Sequence, residues 1–203
     1  MKEKPSSKLI LTLSIILLII IAVTFFLIFN KYGIMTGRVT DTGTANITIN
    51  ESASIIFTDD VCNFGGGYVN EIPTFAIVYS NGTVVNGTDW GGCTNGLTVT
   101  NIGNVNLTVD LNSTQNASGF IGGSEVRSFK WKAINSTGNN SCIGTSDITD
   151  YTEVDFTSPP TICSNLKWAS GYNSMQIDFQ LTIPKDAVGT KGTVITATGT
   201  AVT

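Results

Sequence analysis

Leu97-Thr-Val-Thr-Asn101-Ile-Gly-Asn104-Val-Asn-Leu-Thr-Val-Asp-Leu111 is the stretch that decides the fold. Leu97 and Val99 alternate with threonine up to the turn Asn101–Asn104, and Val105, Leu107, Val109 and Leu111 alternate with polar residues away from it. A period of two buries one face of an extended strand and leaves the other to water, which helical spacing does not reproduce. The stretch is read as a pair of strands joined by a glycine-containing turn.

The same period recurs on both sides. Ala45, Ile47, Ile49, Ala53, Ile55 and Phe57 all fall on odd positions, with Asn, Thr and Ser between them, and predict a strand with one buried face. Phe75–Tyr79, the turn Ser80-Asn81-Gly82 and Thr83–Val85 predict a hairpin, because Asn-Gly supplies the positive φ angles of a tight turn. Phe129, Trp131 and Ala133 alternate with Lys130 and Lys132, a strand with Trp131 in the core and a basic, solvated outer face. Met175, Ile177, Phe179, Leu181 and Ile183 alternate strictly; after Pro184-Lys-Asp186 and a Gly-Thr-Lys-Gly link, Thr193–Val202 reads as a last strand. Asp59–Ile72 and Asn135–Ser170 read as long loops, as does the polar run up to Gly123. At least seven strands and no internal repeat give an all-β, antiparallel β-sandwich or jelly-roll over residues 45–203. The immunoglobulin signature is missing, because no tryptophan lies between a suitably spaced cysteine pair on opposing strands.

Ahead of this domain lies Leu9–Phe29, uncharged and interrupted only by Thr12, Ser14 and Thr24. Twenty-one residues of helix span roughly 31 Å, the thickness of a bilayer's hydrocarbon core. The chain therefore divides into a basic cytoplasmic tail (1–8), a transmembrane signal anchor (9–30), a glycine-containing stalk (31–44) and the β-domain (45–203). Lys2, Lys4 and Lys8 precede the span, while Lys31 and Arg38 follow it, so the positive-inside rule sets the N-terminus in the cytoplasm and the domain outside the cell membrane. The apolar run exceeds the usual signal-peptide core of about 7–15 residues and no A-x-A-like site follows, which favours a retained anchor over a cleaved signal. No cysteine precedes Cys62 for lipid attachment.

From Lys31 onward, eight basic residues face fourteen acidic ones, a net of −6. That balance argues against nucleic acid as a partner, which needs clustered Lys and Arg. Nine Asn-x-Ser/Thr acceptors, at Asn46, Asn50, Asn81, Asn86, Asn106, Asn112, Asn116, Asn135 and Asn139, fit an exported glycoprotein. So do Cys62, Cys93, Cys142 and Cys163; sequence order favours the disulfides Cys62–Cys93 and Cys142–Cys163 among three possible connectivities. Zinc is disfavoured, since there is neither a C-x-x-C pair nor any histidine.

Candidate chemistry is sparse. The lack of histidine removes Ser-His-Asp and Cys-His catalysis. Asp59-Asp60, or Asp147 with Asp150, are the nominal carboxylate pairs for glycoside hydrolysis or for calcium, yet neighbouring acids on loops are usually just solvated and EF-hand spacing is absent. Gly65-Gly66-Gly67 lacks the Lys-Ser/Thr and the helix of a phosphate cradle. Trp90 and Trp168 stand beside Cys93 and Cys163, where packing on disulfides competes with stacking on a sugar ring. No catalytic residue, metal ligand or cofactor is assigned.

At Leu97–Val109 and at Leu181–Gly199 the chain resembles β-sandwich surface proteins of archaea, and more loosely is similar to the TasA/camelysin fibre family. In both groups an N-x-G-N turn joins two strands, and a corner of lysine or proline, acid and Gly-Thr leads into the last one. The resemblance covers roughly 35 residues and implies a structural or adhesive role at the cell surface, with no catalytic residue carried over. The expected function is a membrane-anchored, extracellular, non-catalytic surface protein, whose partners are the bilayer through Leu9–Phe29 and copies of itself or other surface proteins. The alternative is a filament subunit assembled by β-strand addition after cleavage, with Thr36–Thr58 as the exchanged segment.

Overall fold

An uninterrupted run of Leu, Ile, Val and Phe without Gly or Pro forms one helix, α1 (Ser7–Lys31). In this computed structural model, residues 7–31, 47–94, 96–123, 126–135, 140–146 and 148–202 are described. The tail 1–6, the stalk beyond residue 31, Asn46, Asn139 and Asp147 lie outside the described residues. Every described side chain of α1 from Lys8 to Ile28 is exposed, so its apolar surface faces outward all round. Two of its three polar interruptions bond within the helix: Thr24 Oγ1 donates to the Ile20 and Ile21 carbonyls at 2.8 and 2.9 Å, and Thr12 Oγ1 donates to the Lys8 carbonyl. A helix in hydrocarbon requires this, because lipid offers no other partner. Among the described residues α1 is the one helix long and apolar enough to cross a membrane.

The chain from Ile49 onward is a second unit, an antiparallel sandwich. Its larger sheet is built on β11 (Ser174–Pro184), the strand predicted from Met175 to Ile183. On one flank β11 pairs along most of its length with β8 (Ser128–Asn135), which carries the two-residue β9 (Thr152–Glu153). The other flank is shared end to end: β6 (Leu97–Asn101) takes Ser174–Ile177, and β3 (Phe75–Tyr79) takes Gln180–Pro184. β1 (Ile55–Asp59) extends the sheet beyond β6, and β4 (Val84–Val85) pairs with β3 in the Asn81-Gly82 hairpin. The smaller sheet is β10 (Thr161–Leu166), β7 (Leu107–Ser113) and β12 (Ile195–Ala201). A two-residue ribbon joins β2 (Tyr68–Val69) to β5 (Gly87–Thr88).

Alternation places Leu97, Val99, Phe129, Trp131, Met175, Ile177, Phe179 and Leu181 of the larger sheet in one core with Leu107, Val109, Leu111, Ile162 and Leu166 of the smaller. Trp131 is fully buried, as expected from its strand phase. The rings of Phe129 and Phe179 lie 5.9 Å apart, and Phe129 meets Trp131 at 6.3 Å.

Several expectations need correction. β6 and β7 are joined by the turn Asn101–Asn104 as expected, but that turn carries the chain from one sheet to the other. The strand expected from Ala45 begins only at Ile55, and Ile47 and Ile49 are 85% and 76% exposed. The segment Asn50–Ser54 instead bonds to that turn: Ser52 N donates to Asn104 Oδ1 at 2.7 Å, and Asn104 Nδ2 donates to the Asn50 carbonyl at 3.0 Å. The polar run before Gly123 holds a one-turn helix, α2 (Ala117–Phe120), capped by Asn116 Oδ1 accepting from Gly119 N at 3.0 Å. Asn135–Ser170 contains β9 and β10, and sends Ile148 and Val154 into the core. The outer lysines of β8 are not simply solvated: Lys130 pairs with Glu153 at 3.8 Å and Lys132 with Asp178 at 3.6 Å.

Candidate binding cleft

A cleft of about 1020 Å³ is lined by residues of both sheets, of α2 and of two loops. Its floor is Phe129, Phe179, Leu181 and Ile183, all set inward by the alternation of β8 and β11. α2 closes one side, with Phe120 edge-on to Phe129 at 4.9 Å between ring centroids and Ile121 buried. Phe57 of β1 and Ile195 of β12 form the walls. One lip is the loop Asp60–Tyr68 and the other is Lys185–Val194.

The glycine triplet shapes the first lip. Gly65 has φ +71°, a left-handed conformation that Asn63 Oδ1 supports by accepting from Gly65 N at 2.9 Å. A Cβ on Gly67 would lie 2.3 Å from Trp90 Cδ2, and one on Gly87 2.6 Å from Cζ3, so these two glycines admit the indole between them. Gly91 N donates to the Phe64 carbonyl at 3.0 Å, and the Cys62–Cys93 disulfide closes the same loop against the Trp90 segment. Within the triplet, Gly67 is the close-approach position. Trp90 stands at the cleft between glycines, whereas Trp168 is 53% exposed.

The second disulfide, Cys142–Cys163, joins the Ser141–Thr145 segment to β10; both pairings are those favoured by sequence order, and the described chain holds no free cysteine. Asp59 accepts from Thr98 Oγ1 at 2.8 Å and Asp60 lines the cleft. Asp150 is exposed, and its proposed companion Asp147 lies outside the described residues. Among the described residues no group of three His, Cys, Asp or Glu could hold a metal ion.

On the outer face of the larger sheet, Asp178 accepts from Gln176 Nε2 at 2.7 Å beside Lys132, whose Nζ also lies 4.8 Å from the Tyr151 ring centroid. Burial, and then the Asp178 charge, push the Tyr151 phenol up to about 12. Asp155 is held below the usual carboxylate range by hydrogen bonds from the Thr157 hydroxyl and backbone amide.

The sequons scatter over this surface. Asn81 is exposed at the tip of the β3–β4 hairpin, with Oδ1 accepting from Thr83 N at 3.0 Å. Asn50 and Asn116 are exposed; Asn86, Asn106, Asn112 and Asn135 are half-buried, and Asn135 Oδ1 accepts from Cys142 N at 2.9 Å. The loop Asp59–Ile72 lines the cleft through Asp60–Tyr68, and the opposite lip, with Lys185 and Lys191, carries no periodic signal in the sequence. Comparison with protein-family models, with curated proteins and with solved structures finds no match to this chain.

Proposed function

We propose that the chain is a membrane-anchored extracellular surface protein with a structural or adhesive role and no catalytic activity, its N-terminus in the cytoplasm. The observation that carries this reading is the combination of α1, apolar on every side, with a sandwich stapled by two disulfides. The first feature needs a bilayer and the second an oxidising compartment. The lysine bias before the span, the sequons and the resemblance to archaeal surface proteins support the same reading. The cleft lined by the loop Asp60–Tyr68 is the part of the module that contacts a ligand.

A second reading is a filament subunit, and one observation favours it: Ile47 and Ile49 keep a strand's period of two yet are exposed. In that reading the segment adds to a sheet edge of the next copy after the anchor is removed. The N-terminal residue of the mature protein, with electron microscopy of material sheared from cells, separates the two. An intact Met1-containing chain without fibres fits the anchored module; a start within residues 31–39 in fibrous material overturns it.

A further inference from the structure

We propose that β12 is a self-association edge, where two copies of this chain pair their β12 strands antiparallel about a two-fold axis at Thr198 and join their smaller sheets into one. This names a partner for the surface role proposed above, from which it takes only the shared bilayer. The edge of a sheet presents unpaired N–H and C=O groups, and proteins blunt it with charge, proline, a bulge or a cover. The other long edges among the described residues carry such devices. β10 is covered by the Ser141–Thr145 segment: Ser164 N donates to the Thr145 carbonyl and Lys167 N to the Ser141 carbonyl, both at 3.0 Å. β8 carries β9 and donates from Ala133 N to the Ile148 carbonyl at 2.8 Å. β1 shifts register between Phe57 and Asp59 and runs into the acids Asp59-Asp60. β12 has none of these: it pairs with β7 from Ile195 to Ala201 without a shift, and no charge or proline occurs from Thr193 to Thr203.

Two bonds fix where its free groups point. Thr114 N donates to the Val194 carbonyl at 3.0 Å and Val202 N donates to the Asn106 carbonyl at 2.9 Å, so the even-numbered residues aim their main chain at the β7 side. Ile195, Ala197, Gly199 and Ala201 therefore aim theirs away from β7, where no described strand pairs with them.

The sequence selects a second copy as the occupant. Val194-Ile-Thr-Ala-Thr198-Gly-Thr-Ala-Val202 is nearly the same read in either direction from Thr198. In an antiparallel pair centred there, Val194 meets the partner's Val202, Thr196 meets the partner's Thr200, and the two Thr198 residues face each other. Val194 and Val202 are 61% and 40% exposed in the single chain, and this register covers each with the other. The exposed threonines fall in the narrow, non-hydrogen-bonded positions, where threonine pairs are favourable. On the inner face Ile195 meets the partner's Ala201 and Ala197 meets the partner's Gly199, so no two bulky side chains collide. The outward groups of the two strands complete about eight main-chain hydrogen bonds. Such an isologous contact uses up the edge on both copies and stops at two. Anchoring in one bilayer raises the effective concentration of the copies, so a short interface suffices.

The test uses the full chain in membranes of the producing cells, oxidised with copper phenanthroline and read on non-reducing gels. Residues opposed at a narrow position have Cα atoms about 4.5 Å apart, within disulfide reach, so T198C should give a cross-linked dimer. T196C and T200C each lie about 13 Å from their own copy and should give background only, whereas T196C/T200C brings unlike positions together and should cross-link as T198C does. The described chain holds no free native cysteine to compete. Adding T198K to T196C/T200C opposes two ammonium groups at the axis and should cut cross-linking roughly tenfold. No more dimer from T198C than from T196C, cross-linking of T196C/T200C unchanged by T198K, or a ladder of T196C/T200C oligomers beyond the dimer would each overturn the proposal. Any of these leaves the surface role standing, since that role is judged by topology.

Discussion

Asn101 donates from Nδ2 to the Val105 carbonyl at 2.8 Å and thereby closes the arch that carries the chain from β6 in one sheet to β7 in the other. The same amide reaches the Leu166 and Lys167 carbonyls at 3.3 Å each, and Asn101 Oδ1 accepts from Gly103 N at 2.9 Å. Asn101 is fully buried, so these bonds replace water it has lost. Replacing Asn101 by Ala strands several buried backbone groups and is expected to lower unfolding free energy by about 2–4 kcal/mol, read by chemical denaturation. Asn101→Asp should be no better, because a carboxylate offers no donor to three carbonyls. A loss within about 0.5 kcal/mol, typical of surface sites, would contradict the role.

Tyr151 predicts an alkaline limit to stability. Its folded phenol titrates at about 12 against 10.0 for the unfolded chain, so between those values the folded state holds a proton that the unfolded state has released. The contribution is fully present below pH 10.0 and is lost as pH rises toward 12. Tyr151→Phe removes the titrating group, and its melting temperature should fall less steeply than that of wild type across this window. Ultraviolet titration should show wild type retaining one late tyrosine that Tyr151→Phe lacks. Parallel wild-type and variant curves would refute the assignment.

Much of this architecture was legible in the sequence, and the failures have physical causes. β11 and β7 announced themselves because each has one face on the core and one on water, which forces alternation at Met175–Ile183 and Leu107–Leu111. β10 did not, because its register against β7 shifts at Cys163 and again before Leu166, so that Ile162 and Cys163 are buried consecutively. That the turn Asn101–Asn104 arches between two sheets was not legible, since alternation reports a buried face and not the sheet to which it belongs. Ile47 and Ile49 carried the strand period with no facing sheet to cover them. At the cleft, the glycine triplet was visible but its purpose depended on Trp90, twenty-three residues beyond Gly67, lodging against it.

Both disulfides act on the unfolded chain. Closing separations of 31 and 21 residues contributes on the order of 3–4 kcal/mol each in the loop-entropy account. Reduction, or the paired replacement of Cys142 and Cys163 by Ser, should therefore lower the melting temperature. Non-reducing peptide mapping checks the connectivity, and four free thiols in protein recovered from cells would contradict it.

Topology is the central claim, and protease shaving of intact cells tests it most directly. With α1 retained in the bilayer and the β-domain outside, external protease should remove the domain and leave a membrane-bound N-terminal stub of a few kilodaltons that contains Leu9–Phe29. Recovery of an untouched full-length chain from intact cells would reverse the orientation. A chain that becomes accessible only after the cells are opened would place the domain inside, and would contradict the account.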